Sequence, residues 1–333
     1  MTARTRGVES VPVKILSLSL ATLIAATPAA SAFAQTYPAK PIRFVVSFAA
    51  GGGVDMVARL AGQKLAEAWG QQVVIDNRPG AGGNLSAETV VKSPPDGYTI
   101  YLSSASVVVN ASLYKSLPYD PLKDFAPVTL LVNAHNVLVA HPSLPAKNLR
   151  ELIALAKKMP GQIHYASTGS GSSGHLAMEL LRSMAGIDLT HVPYRVIGQT
   201  TTDLLAGQVS LWFPTMPGVL QHIKAGRMRA LGVSGQRRAP VLADVPTVAE
   251  AGVPGYEAST WYPVLAPAAT PPAIVERLNA QFVAIVALPD VRERLLAQGI
   301  EPVGSTSSAL AAHLKSELVK WEKVVRLSGA KVD

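Results

Sequence analysis

Residues 42–55, IRFVVSFAAGGGVD, decide the fold of this chain. The apolar run at 42–48 predicts a buried strand, and apolar residues at every third or fourth position over 54–69 predict a helix. The three glycines between them let the backbone approach a ligand closely. A helix N-terminus carries about half a positive charge, so this loop is a candidate anion site. The alternative is a plain tight turn. Because Asp55 would repel an anion, we expect its side chain to orient the loop.

The alternation of strand and helix continues along the chain. Further strands are predicted at 73–75 and 98–102 around a helix near 85–91, which indicates a mostly parallel sheet covered by helices. The pattern restarts with strands at 137–140, 163–166, 189–192 and 209–213 and helices at 149–158, 175–185 and 201–206. Three C-terminal helices, at 274–287, 291–298 and 309–327, have no sheet of their own and must pack on another unit. Two α/β units predict a ligand cleft between them.

A second glycine-rich loop, residues 167–175 (STGSGSSGH), also joins a predicted strand to a helix. It contains the spacing G-x-G-x-x-G, which leaves dinucleotide binding open. The acidic residue at the expected distance, Asp188, precedes a strand instead of ending one, and the loop is rich in hydroxyls. Hydroxyls and backbone N–H groups favour direct recognition of a small carboxylate. A third loop, residues 80–84 (GAGGN), lacks the Lys-Ser/Thr pair of a nucleotide-binding P-loop.

Composition excludes several classes of function. The chain has 333 residues, 48% hydrophobic residues, a formal net charge of +8 and no Cys. The hydrophobic fraction excludes wholesale disorder, and the missing Cys excludes disulfides, thiolate metal sites and a lipid anchor on Cys. Basic residues are scattered, so we expect no nucleic-acid binding. No hydrolase or zinc motif occurs and no two of the seven His lie at i, i+4, so we expect no catalytic residue, metal or cofactor.

The N-terminus resembles an export signal. Arg4, Arg6 and Lys14 precede a short apolar run at 15–26, and small residues at 30–34 follow it. This order is typical of a secretory signal peptide, whereas a membrane-spanning helix needs about 20 apolar residues. We expect residues 1–34 to be removed after Ala34 and the mature chain to be a periplasmic protein without a membrane anchor.

Several segments together resemble one known family. They include YPAKPIR at 37–43, DNRPGAGGN at 76–84, PDGYT at 95–99, YASTGSGSSGH at 165–175 and DVPTVAEAG at 244–252. With AAGGGVD at 49–55, they are similar in order to the Bug/TctC family of tripartite tricarboxylate transporter receptors. The resemblance implies a type II periplasmic binding protein, in which two α/β lobes are joined by two crossing strands. The implied domains are residues 35–135 with 260–333, and residues 136–259.

The resemblance also implies a function. A monomeric, non-enzymatic receptor would capture a small carboxylate and deliver it to inner-membrane permease subunits. The alternative is an exported enzyme, either a Ser hydrolase using Ser170 or Ser172 or a nucleotide-dependent one. The implied ligand-binding residues are Ala50, Gly51, Gly52, Asp55, Thr168, Ser170, Gly171 and Asp203.

Two positions depart from the family's pattern. Val196 and Ile197 stand where the family usually has two glycines, which predicts a narrower or more apolar pocket. Pro263 stands where Gly is usual near the crossover, which predicts a stiffer hinge.

Overall fold

A computed structural model describes residues 1–3, 7 and 37–328 of the chain. The strands are β1 (Ile42–Val46), β2 (Val73–Asn77), β3 (Thr99–Leu102), β4 (Phe125–Ala134), β5 (Val137–Ala140), β6 (His164–Ser167), β7 (Thr190–Pro193), β8 (Leu211–Trp212), β9 (Arg229–Val233), β10 (Thr260–Pro267) and β11 (Ile300–Pro302). The helices are α1 (Gly53–Trp69), α2 (Asn84–Val91), α3 (Ser106–Leu113), α4 (Leu149–Lys158), α5 (Ser173–Ala185), α6 (Ile197–Leu205), α7 (Leu220–Lys224), α8 (Pro272–Ala287), α9 (Pro289–Leu296) and α10 (Ser307–Ser328).

The strands form two sheets. One has six strands in the order β11-β4-β10-β3-β1-β2, and the other has five in the order β7-β6-β8-β5-β9. We call residues 37–134 with 260–328 the first lobe, and residues 137–259 the second lobe. The chain passes between the sheets after β4 and again before β10. The two α/β lobes and the two crossings agree with the expected fold class.

Both sheets are mixed: the three strands of the predicted βαβαβ unit are parallel, as expected, but further strands make each sheet as a whole not mostly parallel. β1 pairs in parallel with β2 and β3, but β10 is antiparallel to both β3 and β4. In the second sheet, β6 is parallel to β7 and β8, whereas β5 is antiparallel to β8 and β9. The antiparallel pairs all involve β4, β5, β9, β10 or β11, most of which the sequence pattern did not predict.

The strand β10 explains how the C-terminal region joins the first lobe. This region has no sheet of its own, as expected, but it contributes two strands, which the sequence did not predict, to the six-stranded sheet. β10 is fully buried but contains Pro263 and ends at Pro267, and proline argues against a central strand. The register against β4 shifts between Tyr262 and Pro263, which accommodates the missing N–H.

The hydrophobic core runs through both lobes. One cluster of buried side chains joins Tyr101 and Trp261 of the first lobe to Tyr165 and Phe213 of the second. Residues from Tyr37 onward accordingly form one compact unit. The predicted signal peptide and its cleavage site fall almost wholly outside the described residues. Within residues 37–328, no helix is both long and apolar enough to cross a bilayer.

Candidate functional site: a cavity between the two lobes

A cavity of about 50 Å³ lies between the two lobes. The first lobe contributes a loop residue, the start of α1, a residue two positions beyond β3 and a β10 side chain: Phe48, Gly52, Gly53, Val54, Ser104 and Tyr262. The second lobe contributes the last residue of β8, residues that follow β6 and β8, and residues at the starts of α5 and α6: Thr168, Ser172, Ser173, Gly174, Ile197, Trp212, Pro214, Thr215 and Gly218.

Two long helices begin at this cavity. α1 starts at Gly53 and α5 starts at Ser173, and the first two residues of each helix line the cavity. The first N–H groups of a helix have no acceptor within the helix, and each N-terminus carries about half a positive charge. Together the two termini are therefore equivalent to about one positive elementary charge. None of the described residues in this wall is Lys, Arg, His, Asp or Glu.

Gly53 is a point of close approach between the lobes. A Cβ atom at Gly53 would lie 2.7 Å from Tyr262 Oη and 2.9 Å from Thr215 Oγ1. The Tyr262 side chain is fully buried, and its hydroxyl lies close to Thr215 Oγ1 of the second lobe without a well-formed hydrogen bond to a described residue. Burial raises the pKa of Tyr262, so the group is a neutral O–H donor at pH 7. The Tyr262 and Thr215 hydroxyls therefore place polar groups in the cavity wall.

Asp55 orients the first glycine-rich loop, as the sequence predicts. Its Oδ2 accepts hydrogen bonds from Gly51 N at 2.9 Å and from Arg59 Nε at 3.0 Å. Burial alone would raise the pKa of Asp55, but the bonds from Arg59 and Gly51 outweigh it and lower the pKa. Asp55 is therefore an anion whose charge Arg59 balances, and it is not in the cavity wall.

Hydrogen bonds to the side chains of Ser167, Ser172 and His175 hold the serine-rich loop, residues 167–175. Ser172 caps α5 by accepting from His175 N, and His175 Nδ1 accepts from Gly171 N at 3.2 Å. Ser167 Oγ is 2.7 Å from His191 Nε2 and also accepts from Gly169 N. Ser172 is thus the N-cap of α5, and the His175 ring fixes the loop in front of it.

The structure brings together only part of the predicted site. Gly52 and Thr168 line the cavity; the other six predicted residues do not: Ala50, Gly51, Asp55, Ser170, Gly171 and Asp203. Asp203 Oδ2 instead accepts a hydrogen bond from Tyr194 Oη at 2.9 Å. A Cβ at Gly171 would lie 2.8 Å from Asn110 Oδ1 of the first lobe, so this part of the loop forms a contact between lobes.

The third loop has a similar position at the lobe boundary. Gly82 is so close to the second lobe that a Cβ there would lie 2.8 Å from the Ser170 carbonyl oxygen. Asn110 Nδ2 holds the loop by donating to Gly82 O. Gly82 therefore allows the lobes to meet, and none of the described residues 80–83 lines the cavity.

Several residues that line the cavity were not predicted from the sequence. Ser104 follows β3, Trp212 ends β8, Thr215 comes soon after it, and Tyr262 lies in β10. Ligands of parallel sheets bind at the carboxyl ends of the strands, and that rule could have found Ser104 and Thr215. Tyr262 could not be found in this way, because β10 itself was not predicted.

Comparison with known proteins agrees with this architecture. Residues 57–329 match the model of a family described as the tripartite tricarboxylate transporter family receptor. The chain belongs to this family. A curated member, Protein BugT of Bordetella pertussis, is 38% identical over 320 residues, which cover 96% of this chain and 97% of BugT.

Two solved structures extend the comparison to the fold. The structure described as R. palustris Rpa4515 with adipate is 37% identical, covers 89% of this chain and 100% of its own, and superposes with a TM-score of 0.86. MatC (Rpa3494) from Rhodopseudomonas palustris with bound malate is 33% identical, covers 87% of this chain and 100% of its own, and has a TM-score of 0.82. The fold is therefore that of the periplasmic binding proteins in this receptor family.

Proposed function

We propose that this protein is a periplasmic receptor that captures a small carboxylate between its lobes and delivers it to the permease of a tripartite tricarboxylate-type transporter. Family membership supports the receptor role. Two similar proteins, 37% and 33% identical, are described with adipate and with malate, which are both carboxylates. In this proposal the mature chain acts as a monomer, without catalysis, and its lobes are residues 35–135 with 260–333 and residues 136–259.

The observation that carries the proposal is the convergence of the α1 and α5 N-termini on one cavity. Their combined potential of about one positive charge matches one carboxylate. In the proposed complex, N–H groups of Gly53, Val54, Ser173 and Gly174 and the hydroxyls of Thr168 and Tyr262 hold the carboxylate oxygens. Gly52 of the predicted set contributes its backbone, while Asp55 acts through the loop that it orients.

Binding to dipoles and hydroxyls also suits a receptor that must release its ligand. A receptor that binds at about 1 µM needs about −8 kcal/mol, which a closed cleft with several hydrogen bonds provides. If the lobes separate, half of these donors leave the ligand at once, because α1 and α5 belong to different lobes. Opening against a permease would therefore release the carboxylate without breaking a buried ion pair.

The test compares carboxylates with their amides. Mature protein is screened by thermal unfolding against organic acids and the matching uncharged amides, and each hit is titrated by calorimetry. A carboxylate at about 100 times its Kd should add about 2.7 kcal/mol to stability, and its amide should add nothing measurable. Equal stabilisation by acid and amide, or conversion of the acid to a product, would contradict a carboxylate receptor.

A further inference from the structure

Asn136, in the first crossing between the lobes, runs beside one wall of the cavity. It lies between β4 and β5, and its side chain is fully buried. It pairs with Thr215 in an antiparallel bridge, and the N–H group of the next residue, Val137, donates to Pro214 O at 2.9 Å. Pro214 and Thr215 both line the cavity, whereas Asn136 does not. The crossing is therefore joined directly to this part of the wall.

The Asn136 side chain connects that wall to the start of α5. Its Nδ2 atom donates to Phe213 O at 2.7 Å and lies 3.5 Å from Ser173 Oγ. Gly174 packs against the same carbonyl group, so that a Cβ there would lie 2.6 Å from Phe213 O. Ser173 and Gly174 begin α5, and both line the cavity. One buried amide group therefore fixes the position of the α5 N-terminus relative to residues 213–215.

The other contacts of Asn136 fix its backbone and leave its side-chain oxygen unsatisfied. Its N–H group donates to Ser234 Oγ at 2.8 Å, and its carbonyl oxygen accepts from Ser234 N at 2.9 Å. Its Oδ1 atom is buried without a hydrogen-bond partner among the described residues. Because an unsatisfied buried oxygen lowers stability, the gain from an amide at this position comes from its Nδ2 donor. That donor acts on the two segments that line the cavity.

We propose that Asn136 is a positioning residue for ligand capture. Through Phe213 O and Ser173 it holds the second lobe's half of the cavity, so that the α5 N-terminus meets the α1 N-terminus when the lobes close. N–H···O hydrogen bonds keep to about 2.7–3.2 Å, so even a small shift of α5 would weaken those to a ligand. This proposal rests on the proposed function, because it assumes that a carboxylate lies at the two helix N-termini.

The test measures the affinity of Asn136→Ala for an organic acid. Succinate, malate and adipate are titrated by calorimetry with the other acids of the screen, and the acid that binds the unmodified protein most tightly is the probe. Asn136→Ala should raise the Kd of this probe at least about tenfold, because the α5 N-terminus loses its tie to residues 213–215. An unchanged Kd would overturn the positioning role and leave the proposed function intact.

Asn279→Ala is the matched control. Asn279 also donates from Nδ2 to backbone carbonyl groups, those of Val128 at 2.7 Å and Ser305 at 2.8 Å, but it lies in α8 of the first lobe and not in the cavity wall. Urea unfolding should show a loss of stability for both variants, whereas the Kd should rise only for Asn136→Ala. An equal rise in the control would be an effect of lost stability in general and would overturn the assignment.

A second variant separates positioning from stability by its pH dependence. Asn136→Asp keeps the size of the side chain, but an ionised carboxylate cannot donate to Phe213 O, whereas a protonated carboxyl can. The Kd of this variant relative to that of the unmodified protein should therefore fall as the pH is lowered from about 8 to about 5. A constant ratio would overturn the proposal even if Asn136→Ala failed to fold. Absence of binding by every acid of the screen to the unmodified protein would overturn the proposed function and this inference together.

Discussion

At the scale of single residues, the site depends on the absence of side chains at the start of α1. Gly53 lies against Tyr262 and Thr215 with no room for a Cβ atom. Such close contact lets the backbone N–H groups of α1 reach the cavity while the two lobes meet. Glycine is needed at position 53 because there is no space for a side chain. Its backbone has the ordinary helical conformation, so a special φ angle is not the reason.

Gly53→Ala should therefore weaken carboxylate binding at least about tenfold, because the new methyl group displaces the second lobe or the Tyr262 hydroxyl. Gly218→Ala is the matched control: Gly218 also lines the cavity, but a Cβ there meets no atom within 4 Å. Calorimetric titration of both variants measures the effect. Equal affinities for the two variants would contradict the steric role of Gly53.

Asp55 should give the protein part of its sensitivity to acid. Its pKa is lowered in the folded state, so its ionised form stabilises the fold above the unfolded pKa, about 4, and this contribution is lost as the pH falls through the folded pKa. Asp55→Asn should lower the free energy of unfolding at pH 7 and flatten its decline below pH 4. Urea unfolding at several pH values measures both quantities. A variant whose stability falls as steeply in acid as that of the unmodified protein would contradict this role.

At the scale of elements, a buried carboxylate fastens α10 to β10. Glu317 Oε2 accepts hydrogen bonds from the indole N–H groups of Trp261 and Trp321, both at 3.0 Å. Lys320 of the same helix donates to Glu257, which precedes β10. Because the chain re-enters the first lobe at β10, these bonds fix one of the two crossings to the C-terminal helix.

Glu317→Ala should destabilise the protein by about 2–4 kcal/mol, since two buried indole N–H groups lose their acceptor. Glu322→Ala, at an exposed position on the same helix, should change stability by less than about 0.5 kcal/mol. Chemical unfolding followed by fluorescence measures the difference. A loss for Glu317→Ala no larger than that of the control would contradict the proposed attachment.

Some strands and helices were predicted from the sequence, and others were not. The first βαβαβ unit and α4 were predicted because their apolar periods are undisturbed by proline. β10 was missed because Pro263 interrupts it, and β10 supplies Tyr262 to the cavity. The glycine-rich loops were recognised as candidates, but the pattern could not separate Gly52, which lines the cavity, from Gly82 and Gly171, which face the other lobe.

At the scale of the whole molecule, the structure is a closed form. Contacts at glycines join the lobes around the cavity, among them Gly82 with Ser170, Gly171 with Asn110, Gly52 with Ile197 and Gly53 with Thr215. Each contact involves a glycine, whose backbone lies closer to atoms of the other lobe than a residue with a Cβ atom could. Closure by rotation about the two crossings would make and break these contacts together.

Gly82→Ala should hold the cleft partly open, because its methyl group would meet the Ser170 carbonyl. Gly70→Ala is matched in backbone strain, with φ of +64° against +62°, but a Cβ at Gly70 meets nothing within 4 Å. Both variants should lose similar stability, while only Gly82→Ala should show a larger radius of gyration by X-ray scattering in saturating carboxylate. Identical scattering from the two variants would contradict the closing contact.

The central claim is that two helix N-termini from different lobes bind one carboxylate. A crystal structure of the mature protein with a carboxylate that binds in solution tests it most directly. The claim predicts carboxylate oxygens within about 3.2 Å of N–H groups in the first turns of both α1 and α5. A carboxylate held by an Arg or Lys side chain outside this cavity, or by only one of the two helices in a closed molecule, would contradict it.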